Sequence, residues 1–323
     1  MRFLGTIAAW TATLFLASPA FGWNATGHRI IAAIAYQRLT PQVRAVVDDL
    51  LRKHPDYALM ARDAPADPAG RARAVFIAAS VWPDVIKGDP RFWDNTRADA
   101  KPTPPVAGFP DMKRHTDWHY YDTPYAPDGA HTEKAQSPSA LTELPRLLKE
   151  LATELDQAAA YDLPWIEHLA GDVHQPLHCI SRFLKSGGSK GDAGGNLVFL
   201  APRGNLHGLW DGAAGSDPTD AYITRFATEA TAEHPEPDRI DKHPKHWIAE
   251  GADLARTRVY TFGLENGTRE HPIHLPDSYL ETARGVAQCQ VALAGYRLAA
   301  VLNDRLRRKS MATSVAAANS PYF

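Results

Sequence analysis

Cysteine is nearly missing from this chain, with two residues among 323, Cys179 and Cys289. That excludes a structural zinc framework built from paired thiolates and a densely bridged small scaffold. One bridge between the two is the expectation for an exported chain, with two free buried thiols as the alternative. It would close a loop of about 110 residues and contribute on the order of 4 to 5 kcal/mol in the chain-entropy account. A basic excess is missing too: 35 Lys and Arg stand against 37 Asp and Glu, for a formal charge of −2. This excludes the broad cationic surface of a sequence-independent duplex binder. A nucleic-acid substrate stays open, because bound metal ions can concentrate positive charge at one spot.

Long apolar runs are confined to the start. "MRFLGTIAAWTATLFLASPAFG" has the parts of a secretory signal over residues 1–22: Arg2, an apolar centre from Ile7 to Leu16, then Ala20 and Gly22 ahead of a cut at Trp23. The apolar run is shorter than the roughly 20 residues a membrane anchor needs, and no later stretch reads as a span. A secreted or periplasmic protein is therefore expected. Internal repeats and linkers are also missing, which excludes a solenoid and leaves a single domain over residues 23–308. A monomer is the simplest reading. The tail from 309 to 323, "KSMATSVAAANSPYF", has little to bury and is expected to be disordered.

Strand signals are few and helix signals many. Thr40 caps and Pro41 opens a helix to His54, with Val43, Val46, Val47, Leu50 and Leu51 on one face. Leu141 to Ala160 carries leucines three and four apart, and Tyr161 to His174 follows until Gln175-Pro176 ends or kinks it. A last helix spans about Asp277 to Arg307. "GGNLVFL" at 194–200 is the best strand and is expected to pair with "GNLHGLW" as a short β-hairpin. Asp89 to Ala130, rich in Pro, Asp and Gly, reads as a long loop. The fold class is mainly α.

Histidine is what the chain has in place of cysteine: 14 residues, three of them in "WIEHLAGDVHQPLH" at 165–178. His168 and Asp172 are four apart, so they share one helix face one turn from each other and can bite one ion. His178 lies beyond Pro176 and must point elsewhere, which suggests a second ion. "NLHGLWD" repeats the spacing of four at His207 and Asp211, "DWHYYD" offers His119, and "ASVWPD" offers Asp84. "WNATGH" puts a terminal amine and carbonyl at Trp23 five residues before His28. Imidazole with carboxylate and no paired thiolate is the donor chemistry of a catalytic zinc site.

In this order and at these spacings, Trp23, His28, Asp84, His119, His168, Asp172, His178, His207 and Asp211 resemble the single-strand-specific nucleases of the S-one/P-one type. The resemblance runs from residue 23 to about residue 211. It implies a single helical domain of the zinc phospholipase C and single-strand nuclease type holding three zinc ions. By position, Asp84, His119, His168 and Asp172 look like the ligands of the first ion and His178, His207 and Asp211 those of the second. Trp23, through amine and carbonyl, His28 and the other oxygen of Asp172 look like those of the third. A metal-activated water would attack phosphorus in line with the departing 3′ oxygen, leaving a 5′ phosphate. Single-stranded DNA and RNA and 3′-nucleotides are the implied substrates.

Asp84 could also orient the attacking water. Lys87, where relatives commonly carry a basic residue, is a candidate donor to the charged transition state, against the alternative of an ordinary surface lysine. Tyr120 could stack an unpaired base and Asp122 accept a hydrogen bond from its edge; core packing is the alternative for Tyr120. His54, His115, His131, His174, His234, His243, His246, His271 and His274 match no ligand position and read as surface or structural. Two other functions share the donor frame: a zinc phospholipase C, in which a glutamate is expected where Asp211 stands, and a non-catalytic exported zinc-binding protein.

Overall fold

Asn24 shows how this chain starts its helices: its side chain accepts hydrogen bonds from the backbone N–H groups of Thr26 and Gly27, both at 3.1 Å, and so caps the first of them. The computed structural model describes residues 22–153, 155–187, 191–263 and 266–318, so the leader expected over residues 1–22, apart from Gly22, lies outside the described residues. Among the described residues, eleven α-helices follow in order: α1 Ala25–Arg38, α2 Pro41–Lys53, α3 Tyr57–Met60, α4 Pro68–Ala79, α5 Trp82–Val85, α6 Ala140–Glu150, α7 Asp156–Asp172, α8 Leu206–Asp211, α9 Asp220–Glu233, α10 Pro244–Leu254 and α11 Asp277–Ala318. A short 3₁₀ turn, Pro176–Cys179, follows α7.

Helix α7 is the central element, buried without a break from Ala159 to Asp172. It packs on α2, α6, α11 and α1. Pro164 lies inside it, so one backbone hydrogen bond is missing where neighbouring helices supply the support. Helix α1 is buried around most of its circumference by its Ile-Ile-Ala-Ala-Ile-Ala run and lies against α11. A Cβ on Gly295 of α11 would come within 2.4 Å of the Ile34 side chain, so the two helices approach as closely as they do because Gly295 has none. Five tryptophans, Trp23, Trp82, Trp165, Trp210 and Trp247, are fully buried.

The helix from Pro41 is found as expected, with the Thr40 hydroxyl accepting from Val43 N–H. The helical pattern read over Leu141 to Ala160 is instead two helices. Its leucine stripe is buried through Leu151, but Leu155 is 85% exposed; the chain turns after Glu150 and restarts at Asp156. The "GGNLVFL" segment turns back as expected, with Leu206 N–H bonded to the Val198 carbonyl, yet pairs through one antiparallel bridge, Phe199 with Asn205. The cis Ala201-Pro202 bond sits in that turn. The sheet among the described residues is parallel: β1 Thr123–Tyr125 against β2 Ile180–Arg182, in register Thr123 to Ile180.

The expected Cys179–Cys289 bridge is corrected: both are free thiols. Cys179 is wedged between α10, where a Cβ on Gly251 would come within 2.6 Å of its sulfur, and the Val173 carbonyl, to which its thiol donates at 3.3 Å. Cys289 sits half-buried on α11. That helix continues to Ala318, and residues 319–323 lie outside the described residues.

Candidate metal centre

Six segments deliver the nine candidate residues to one buried region at the C-terminal end of α7. Asp84 comes from α5, whose Trp82 is anchored by its indole N–H on Asp56 at 2.9 Å. His119 follows Trp118, a residue stacked on His115 and set edge-on to Trp165. His168 and Asp172 lie one turn apart on α7. Gln175 opens the Pro176–Cys179 turn by accepting Leu177 N–H at 2.6 Å, and that turn aims His178. Asn205 caps α8, which carries His207 and Asp211. His28 projects from α1, and Trp23 precedes it.

In the first group, His119 Nδ1 lies 3.0 Å from both His168 Nε2 and Asp172 Oδ2. Asp84 Oδ1 is 3.5 Å from His168 Nε2 and 3.9 Å from His119 Nδ1, and His168 Nε2 is 3.3 Å from Asp172 Oδ2. Four donors about 2.0 to 2.2 Å from a tetrahedral zinc stand about 3.3 to 3.5 Å from one another, so these spacings suit one ion. In the second group, His178 Nε2 faces His207 Nε2 at 3.1 Å, and His207 Nε2 is 3.6 Å from Asp211 Oδ1.

The hydrogen bonds on the far side of these rings set how they face the centre. His168 donates its Nδ1–H to the Ser80 carbonyl, His178 to the His119 carbonyl and His207 to the Gly194 carbonyl, each at 2.7 Å. Each bond fixes the orientation of its ring and turns its Nε2 towards the centre. His178 and His207 face each other through their Nε2 atoms at 3.1 Å, close enough for both to reach one ion. Both nitrogens of His28, the Nε2 of His119 and Oδ1 of Asp172 are buried without a hydrogen bond. The donor set fits metal ions.

The two oxygens of Asp172 turn to different sides: Oδ2 to His119 and His168, Oδ1 to His28 Nε2 at 3.3 Å. His28 and His168 stack with ring centroids 3.9 Å apart. A Cβ on Gly22 would fall 1.6 Å from Asp172 Oδ1 and 3.1 Å from His28 Nε2. The backbone just before Trp23 thus comes close to both of these side chains.

Charge follows the same pattern. Burial alone would raise the Asp172 carboxyl, but His168, His119, His178 and His28 around it hold it well below the usual carboxylate range. Burial, with the Lys87 charge behind it, pushes His119 down to about 3, and burial followed by the His168 charge lowers His28. Asp211 is pushed well above its ordinary value by burial, although Gln175 donates to it at 2.7 Å. Four acidic or imidazole groups crowded this way gain most from an added positive ion.

Lys87 is buried, and its Nζ lies 2.8 Å from Asp84 Oδ1, so the surface alternative for it is corrected. Tyr120 and Asp122 line a pocket of about 140 Å³ together with His178, His207, Gly194 and Asn196. Burial, and then the charge of Asp192, pushes the Asp122 carboxyl up to about 7. Gly194 and Asn196 were missed from the sequence as pocket residues. Gly194 has φ +60° and a Cβ there would strike the Leu177 carbonyl at 2.5 Å, so this wall is backbone by necessity.

Most of the other histidines stay away from the centre. His174 donates its Nδ1–H to the Ala170 carbonyl at 2.7 Å and accepts from Arg297 on α11 at 3.1 Å, and burial pushes it down to about 3. It ties α7 to α11. His54 accepts Asp56 N–H and His115 reaches Asp111. His243 and His246, however, meet Asp241 in a group of their own.

The chain matches the model of the family described as S1/P1 Nuclease over residues 23–307. It is 23% identical to nuclease S1 of Aspergillus oryzae over 90% of this chain and 94% of that protein. It is 23% identical to endonuclease 2 of Arabidopsis thaliana over 90% of this chain and 92% of the relative, and 26% identical to endonuclease 4 of the same plant over 61% of this chain and 75% of the relative.

Proposed function

Because the chain belongs to the S1/P1 nuclease family, a metal-dependent group, we propose that it is an exported zinc phosphodiesterase that cuts single-stranded DNA and RNA to 5′-phosphate products and also removes the phosphate of 3′-nucleotides. The observation that carries the metal part is the pair of imidazole nitrogens of His178 and His207 that face each other at 3.1 Å, within reach of one ion. Asp84, His119, His168 and Asp172 would hold one ion and His178, His207 and Asp211 another. Trp23, His28 and the second oxygen of Asp172 would hold a third. When bound, the ions supply Lewis acidity and bring the pKa of an attacking water towards neutrality.

The chain's own groups do the rest. Asp84 orients the water, and Lys87 beside it brings a positive charge to the phosphate oxygens as charge builds on them. The pocket beside His178 and His207 takes one unpaired base: Tyr120 stacks on its face and Asp122 accepts from its edge. A base inside a duplex has no free face to offer, which favours single strands. Metal content measured together with hydrolysis of single-stranded DNA, RNA and 3′-AMP in one preparation tests the reading. Zinc-loaded protein that cleaves none of the three would overturn it.

Lys87→Ala is expected to lower turnover by roughly 10²-fold or more while the ions stay bound, the scale seen for a lost donor to a charged transition state. Unchanged turnover would overturn that role for Lys87. Tyr120→Ala is expected to act on binding: loss of about 1 to 3 kcal/mol of stacking corresponds to a rise in KM of roughly 5- to 150-fold. Steady-state kinetics on a short oligonucleotide separates the two, since a fall in kcat with KM intact would contradict the stacking role.

A further inference from the structure

We propose that Asp241, His243 and His246 form a surface site for one divalent transition-metal ion of the zinc class, with no residue in common with the buried centre. His243 Nδ1 lies 2.8 Å from Asp241 Oδ1 and His246 Nδ1 lies 2.6 Å from Asp241 Oδ2, so one carboxylate faces two imidazoles. The ring centroids are 5.1 Å apart. Two imidazoles and a carboxylate are the donor set of His178, His207 and Asp211, and nitrogen donors of this kind select zinc, copper or nickel over magnesium or calcium.

The site is held by its backbone. The buried Trp247 donates its indole N–H to the Asp241 carbonyl at 2.9 Å, and Asp241 Oδ1 accepts His243 N–H at 2.9 Å. Pro244 occupies the first position of α10, fixing the turn that sets His243 and His246 three residues apart on the same side. The imidazoles themselves are 75% and 59% exposed, so a small rotation of each opens the group to the spacing of about 3.3 Å that zinc ligands need, and water can complete the coordination. Without an ion, the same atoms would simply share hydrogen bonds; the two cases differ in stoichiometry.

Equilibrium dialysis of the full chain against zinc, followed by elemental analysis, distinguishes them. The unaltered protein is expected to carry one ion per chain more than His246→Ala. Asp241→Asn, which keeps both imidazoles, is expected to weaken zinc binding at this site by tenfold or more. Equal ion counts in the unaltered protein and His246→Ala would overturn the site, and loss of more than one ion from His246→Ala would overturn its separation from the buried centre.

Discussion

Asp172→Asn is expected to abolish phosphodiester hydrolysis and to empty more than one metal position at once. Asp172 is fully buried, and its two oxygens serve different neighbours: His119 and His168 on one side, His28 on the other. An amide keeps the shape but removes the negative charge, and its NH₂ presents hydrogens to imidazole lone pairs that expect an ion. Because metal affinity and local folding are linked here, both groups should loosen together. His174→Gln supplies the control: both its ring nitrogens are engaged, with Ala170 and Arg297, away from the centre. It should keep its full complement of ions, so elemental analysis and turnover of the two variants, measured side by side, check the assignment; equal ion loss in both would break it.

The second large effect concerns the start of the chain. A protein carrying one extra residue before Trp23 is expected to fold, to keep the ions near Asp84, His119, His178 and His207, and to lose one ion with most of its activity. The added residue converts the Trp23 amine into an amide, a poor donor to zinc. It also fills space: with Gly22 attached, its backbone lies between His28 and Asp172, where a Cβ would come within 1.6 Å of a carboxylate oxygen. Removal of the leader would both free a ligand and clear its position. Should the extended protein hold as many ions as the form beginning at Trp23 and cut single-stranded DNA at the same rate, the role given to Trp23 fails.

What could be read from the sequence was whatever depends on near neighbours along the chain. His168 with Asp172 and His207 with Asp211 declare themselves because a spacing of four on a helix puts two side chains on one face. The cap at Thr40 and the leucine stripe through Leu151 are local in the same sense. Opposition of His178 to His207 is not local, since it depends on how a 3₁₀ turn after α7 meets α8. The parallel pairing of 123–125 with 180–182 joins two three-residue strands too short to leave a periodic signal. Two cysteines far apart in sequence say nothing of their distance in space, so the bridge expected between them could not be checked before the fold was known. Asp241, His243 and His246 were passed over individually because only the turn pinned by Trp247 makes them a group.

The contact at Gly295 gives the carboxy-terminal third a mechanical part in a centre to which it contributes none of the nine candidate ligands. Ile34 and His28 are less than two turns apart on α1, and Ile34 is seated against the bare backbone of Gly295. Asn303, two turns further along α11, closes over the end of α1 by accepting Thr40 N–H at 2.9 Å and donating to the Arg38 carbonyl at 3.0 Å. Helix α1 is thereby notched at one point and latched at another, like a bolt in its housing. Its axial travel is blocked, and with it the travel of His28 past Asp172. The long last helix is thus the gauge that sets how far the chain's first helix reaches into the metal cluster.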